Sequence, residues 1–211
     1  MRCPACRTPA LEHDASCGQC GFSLDALGPV MGIPPMLDAP LADVARTLSA
    51  GRRREVLKTV HALHQRFPQL SFAAVLMEVP PQVPLAIQAF WLFNRASLFS
   101  AVERAGDNHG VLLLLDTPRR RAVTMIGYGL EPLLSELSLE VCLTAASGSL
   151  AKGQFGPAIE AFVRELERQL THLTATLPRV FGHVEPGLWQ APDSGDESET
   201  APATSEVEDL Y

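Results

Sequence analysis

Four of the five cysteines fall into two identical spacings, Cys3-Pro4-Ala5-Cys6 and Cys17-Gly18-Gln19-Cys20, with ten residues between them. Each CxxC turn can aim two thiolates at one point, and two such turns complete the tetrahedral four-sulfur shell that zinc prefers. Gly18 and Gly21 suit a backbone that must fold tightly so that its N–H groups face the sulfurs. The spacer is shorter than the roughly 15 to 20 residues of the commonest paired-CxxC zinc formula. A redox pair would need a βαβ context that this stretch lacks, so the reading is a metal site in a reducing compartment. So small a module cannot bury enough surface to fold alone, and zinc binding, on the order of 10–16 kcal/mol, would be its folding energy. Cys142 stands alone in a helical stretch and reads as a buried structural thiol.

A second candidate site lies in residues 107–131. Gly110-Val111-Leu112-Leu113-Leu114-Leu115-Asp116 and Ala122-Val123-Thr124-Met125-Ile126 are apolar runs joined by a basic turn, and read as adjacent antiparallel strands. The first lacks alternation, as expected of a strand covered on both faces. The second runs into Gly127-Tyr128-Gly129-Leu130-Glu131. In such a pair, the loop before the first strand and the turn after the second lie at one end of the sheet. Asp107, Asn108 and Glu131 would then converge on one hard cation such as calcium, which takes carboxylate and amide oxygens. Glu131 serves equally well as a carboxylate at the start of the following helix. A phosphatase would need an in-line nucleophile and charge stabilisation of the phosphoryl oxygens. The chain has no P-loop and no Asp-x-Asp pair, and His109 is the histidine nearest this loop. His61 and His64 sit three apart on a predicted helix without nearby carboxylates, a weak metal pair.

The elements that must hold these residues read as follows. Residues 28–35 are rich in glycine and proline and read as linker. Asp38 caps a predicted short helix carrying Leu41, Val44, Ala45 and Leu48 on one face. A longer helix follows with Val56, Val60, Leu63 and Phe67 as its stripe and Arg52, Arg53 and Arg54 at its start, a solvated charge run. Residues 70–79 form a strand, Pro84 opens a helix to about Asn94, and residues 98–104 are a further helical piece. After the strand pair, Pro132 starts a helix to about Leu150, and Pro157 sits in the first turn of the last one. Strands separated by helices predict an α/β fold: an αβα sandwich on a small central mixed sheet, preceded by the cysteine module.

The chain carries 46% apolar and 19% charged residues over 211 positions, which suits a soluble domain plus a small module. Its net charge of −7 is concentrated at the end: residues 191–211 hold seven acids and no base. Of 24 acids in all, 17 then remain against 17 bases, so the folded part is neutral and offers no nucleic-acid footprint. The acidic end is expected to be disordered. The start of the chain shows no targeting pattern, and no apolar run approaches the roughly 20 residues of a membrane span, so the expected location is the cytoplasm.

Two resemblances attach to these motifs. The paired CxxC units resemble the short double-knuckle zinc ribbon found at bacterial N-termini. Residues 40–175 resemble the TPM domain, through Leu48-Ser49, Trp91, Gly110-Val111-Leu112-Leu113-Leu114, Gly127-Tyr128-Gly129-Leu130-Glu131 and Gly153-Gln154-Phe155-Gly156-Pro157-Ala158-Ile159. That family includes thylakoid-lumen proteins of photosystem II repair and many bacterial envelope proteins. The resemblance implies an αβα sandwich; some members are acid phosphatases, some bind calcium, and others are assembly factors. Asp107-Asn108-His109-Gly110 departs from the family's Asp-Asn-Gly turn, and Asn94 replaces a glycine. The expected organisation is a zinc ribbon (1–25), a linker (26–37), a TPM-like domain (38–176) and an extension with the acidic tail (177–211). The expected function is a non-catalytic cytoplasmic interaction module with a protein partner, structural zinc and a divalent cation such as calcium at the turn. The alternative is a metal-dependent phosphatase.

Overall fold

The computed structural model describes residues 2–10, 14–99 and 108–181, with side chains as far as Ala175. The sheet, the helices packed on it and the cysteine module belong to the compact unit Met1–Ala175; Thr176–Tyr211 forms a second unit. The helical piece expected over residues 98–104 lies mostly outside the described residues, as does the whole acidic end, 191–211.

Four strands, β1 (Leu41–Asp43), β2 (Ser71–Met77), β3 (Gly110–Asp116) and β4 (Arg121–Ile126), form one sheet in the order β1-β2-β3-β4. The first two pairings are parallel and the last is antiparallel, which gives the expected mixed sheet. Every residue of β3 is buried. Its side chains alternate between two cores, which is why Val111 to Leu115 are apolar without a break. Val111, Leu113 and Leu115 join Phe72, Ala74 and Leu76 on one face, against α2 (Ala50–Arg66), α4 (Glu136–Ala151) and α5 (Phe155–Phe181). Leu112 and Leu114 join Ala73 and Val75 on the other face, against Ala89, Leu92 and Phe93 of α3 (Leu85–Arg95).

Local signals set most boundaries. Ser49 caps α2 by accepting from Arg52 N at 3.3 Å, and Val56, Val60 and Leu63 form its buried stripe. Three expectations are corrected. Leu41 to Asp43 form a strand and not the short helix capped by Asp38. Leu41 and Ala42 bury their side chains while pairing with Ala74 and Val75, satisfying the open edge of β2. The Asp43 carboxylate then accepts from Thr47 N and Leu48 N, which closes the turn into α2. Second, α4 begins at Glu136, not Pro132: Leu130 and Leu134 dive into the core, and the Ser135 hydroxyl supplies the cap. Third, the supposed linker contains α1 (Leu24–Met31), which runs through Gly28 and Pro29. Cys142 is fully buried, and burial pushes its thiol up to about 12.

The far end of β3 is locked by a buried carboxylate. Asp116 accepts from Arg121 Nη2 at 3.1 Å, Arg119 Nη1 at 3.2 Å and Val79 N at 3.3 Å. Burial alone would raise its pKa, but the two guanidiniums and the Val79 N–H outweigh it and hold the group below the ordinary carboxylate range. Its contribution is therefore present at neutral pH and is lost as the pH falls below that range. Asp116→Ala leaves the buried Val79 N–H unpaired and is expected to lower stability in urea by about 2 kcal/mol. Asp116→Asn, which keeps an acceptor, should lose less.

Candidate metal centre and the adjoining cleft

The two CxxC units fold as near-copies. In the first, Cys3 N donates to Thr8 O and Arg7 N donates to Cys3 O; in the second, Cys17 N donates to Phe22 O and Gly21 N donates to Cys17 O. The residue after each second cysteine is left-handed, with φ of 63° at Arg7 and 68° at Gly21. The second unit fills that position with glycine, for which it is free, and the first with a residue that pays for it. Arg2 and Pro9 form an antiparallel bridge that closes the first unit.

This geometry brings all four sulfurs together. Cys3 and Cys20 Sγ are 3.7 Å apart, as are Cys6 and Cys17 Sγ, and all four atoms lie within 4.8 Å of one another. A tetrahedral ion with sulfur at about 2.3 Å requires a sulfur–sulfur edge of about 3.8 Å, so the donor set fits a metal ion. Among the described residues, this is the group of His, Cys, Asp and Glu that can hold one. Cys3 and Cys17 are buried while Cys6 and Cys20 reach the surface. Electrostatics separate the thiols: the Thr8 hydroxyl and then its backbone N–H pull Cys6 down to about 6. The Phe22 backbone N–H favours a Cys20 thiolate, but the neighbouring Cys6 and the other sulfurs push that thiol up to about 12. A cation must therefore displace protons to gather four thiolates, and binding tightens as pH rises.

The second candidate site is reached by the antiparallel pairing of β3 with β4. Gly127 N donates to Gly110 O at 2.9 Å, so the turn after β4 sits beside the start of β3. Asn108, with φ of 37°, lays its backbone oxygen and Oδ1 where a Cβ on Gly127 would stand. Tyr128 to Leu130 then form one 3₁₀ turn. Asn108, Tyr128 and Glu131 line one cleft of about 640 Å³. Asp107 lies outside the described residues. His109, half-buried, extends the parallel ladder by accepting from Ser71 N through its backbone oxygen. Asn94 is helical, and its amide donates to Phe90 O at 2.8 Å. The histidine pair is not brought to a common ligand position: His61 meets Gln65, while His64 Nε2 accepts from Phe72 N at 3.2 Å. Burial, with some help from His61, lowers the His64 pKa, in keeping with a neutral acceptor.

The sequence profile of the TPM domain matches residues 41–169. The chain belongs to the TPM domain family. None of the curated proteins compared with it matches. Among similar solved structures, the BA42 protein of the psychrophilic bacterium Bizionia argentinensis has a TM-score of 0.51 at 14% identity, over 62% of this chain and 86% of that one. The N-terminal domain of a P. gingivalis protein has a TM-score of 0.49 at 21% identity, over 63% and 82% of the two chains. The N-terminal domain of the cg2496 protein of Corynebacterium glutamicum has 0.48 at 12%, over 64% and 82%. The BA42 likeness supports the TPM fold and nothing beyond it.

The cysteine module and α1 precede the matched TPM span, yet they pack on it. Leu27 of α1 is buried with Ile87 and Trp91 of α3, flanked by Phe22, Leu24, Met31 and Phe90. The Phe22 and Phe90 rings meet edge-on at 5.4 Å. Arg2 pairs with Glu136 at 2.6 Å, and Arg95 with Asp25 at 2.7 Å, both at the surface. Sequence reasoning missed this seam although a signal existed. Ser23 accepts from Ala26 N, Asp25 sits in the first turn, and Leu24, Leu27 and Met31 have helical spacing. The cleft is consequently walled by both parts: Cys3, Pro4, Ser16 and Phe22 from one, Phe93, Asn108, Tyr128 and Glu131 from the TPM domain. Gly127→Ala must displace the Asn108 backbone, and is expected to cost about 2 kcal/mol in urea. Gly148→Ala, in open space within α4, should instead stabilise by about 0.5–1 kcal/mol.

Proposed function

We propose that the chain is a cytoplasmic interaction and assembly module in which an N-terminal zinc ribbon is seated on a TPM domain. Zinc is the ion of choice for four thiolates, and Cys3, Cys6, Cys17 and Cys20 would hold it. Its chemistry there is structural: it supplies the folding energy that a module of about 25 residues cannot gain from burial. In this reading residues 1–25 are the ribbon, 26–37 join it to the TPM domain of 38–176, and 177–211 are an extension with the acidic tail. The observation that carries the reading is the composite cleft, whose walls come from the ribbon and from the TPM turn. A protein segment seated in it would contact both parts at once.

A second reading is a metal-dependent phosphatase, with a divalent cation such as calcium on Asp107, Asn108 and Glu131. The placement of Asn108, Tyr128 and Glu131 on one cleft wall favours it. Hard cations take such oxygens from loops, and the bound ion would supply charge stabilisation at a phosphoryl group.

Elemental analysis of the purified chain is expected to give one zinc per chain, and Cys17→Ser/Cys20→Ser should lose it together with protein partners captured by the intact chain. An unchanged partner set would contradict the ribbon as a docking element. Calcium binding with cation-dependent hydrolysis of an aryl phosphate, both lost in Glu131→Gln, would favour the second reading.

A further inference from the structure

The edge of the sheet opposite the cleft carries an uncompensated basic corner. The register places Asp43, Met77, Asp116 and Arg121 along this edge, at the carboxyl ends of the parallel strands. In open α/β sheets such ends are where ligands approach. Three structural pieces meet here. Arg52, in the first turn of α2, has its Cδ 3.5 Å from the place a Cβ on Gly156 of α5 would occupy. Arg120 reaches from the β3–β4 turn to donate to Ala151 O at 2.9 Å, and lies beside Gly153. The stretch from Ala151 to Gly156 thus ties Arg120 to Arg52 and places Lys152 between them.

The acids of this corner are mostly consumed by the fold. Asp116 is buried under Arg119 and Arg121, Asp43 closes its own turn, and Glu55 holds Arg52 at 2.6 Å. Arg53 is engaged with Leu41 O. Arg46, Arg54 and Lys152 remain exposed without an acid partner among the described residues, against Glu78 and the Arg52-bound Glu55 as exposed acids. The amino ends of α2 and α5 add partial positive charge, while Arg120 neutralises the carboxyl end of α4.

Taking the interaction-module reading as its basis, we propose that this corner docks an acidic polypeptide segment of a partner protein. Carboxylates match both the free cations and the helix amino ends. Four strands span about 15 Å, the reach of about four extended residues, so a short run of acids covers the corner. A nucleic acid fits less well. It rewards a long basic face that follows its backbone phosphate by phosphate, whereas this corner spans only about 15 Å.

The test is fluorescence anisotropy of a labelled deca-glutamate peptide with the full-length chain at low ionic strength. Binding is expected, falling as salt is raised. Arg54→Gln/Lys152→Gln should weaken it about fivefold or more. Arg66→Gln/Arg168→Gln removes the same charge from positions beyond the first turns of α2 and α5 and should leave it unchanged. No binding, or equal weakening by the two pairs, would overturn the proposal. Tighter binding of a ten-residue oligothymidylate would overturn it in favour of a nucleic acid. If deca-glutamate fails while partner capture still depends on the cysteines, only this surface is lost. If deca-glutamate binds but capture ignores the cysteines, only the ribbon's docking role is lost.

Discussion

Four sulfurs held 3.7 to 4.8 Å apart cannot all carry charge unless a cation sits among them. That constraint governs the amino-terminal part of the molecule. It fixes two backbone turns whose own hydrogen bonds are few and whose hydrophobic content is small. From the second turn, Phe22 leads directly into α1, so the orientation of the sulfur cluster sets where Leu24 and Leu27 fall against α3. The cleft exists because this seam holds the cysteine module over one end of the sheet.

The TPM domain needs no such help. Its β3 is covered on both faces, and the two cores on either side draw on alternate residues of the same strands. Each buried Leu, Val or Phe contributes about 1.5–3 kcal/mol on burial, so this sheet is the rigid base on which the rest is mounted. The sheet has two dissimilar ends. One presents the Asn108 and Tyr128 turn beneath the cysteine module, and the other presents the arginine-rich turns that surround Asp116. Both ends are positioned by β3, whose pairing with β4 brings the turn after β4 back beside Gly110.

What the sequence made legible follows the strength of the local signal. The paired CxxC units announce a metal site because few other arrangements need thiols at that spacing. The unbroken apolar run of β3 and its basic turn gave the strand pair, and the stripe of Val56, Val60 and Leu63 gave α2. Two elements were hidden. β1 has three residues, too few for a period of two to separate from one of 3.6, and it is a strand because β2 has an edge to satisfy. α1 was masked by Gly28 and Pro29; Pro29 sits near the end of an eight-residue helix, where few later hydrogen bonds depend on it, and tertiary burial of Leu27 outweighs the lost propensity. Of the proposed cation ligands at the turn, Asn108 and Glu131 share a cleft wall, while Asp107 lies outside the described residues.

The central claim is that the metal-held cysteine cluster seats α1 on the TPM domain. Trp91, 4% exposed, lies in that seam and reports on it directly. With Trp189→Phe as the background, leaving Trp91 as the single tryptophan, its emission would be followed while a chelator removes the metal. The account predicts a red shift as Trp91 meets water, reversed by added zinc, with the far-ultraviolet signal of the TPM helices largely kept. Unchanged Trp91 emission in chain confirmed to be metal-free would contradict it.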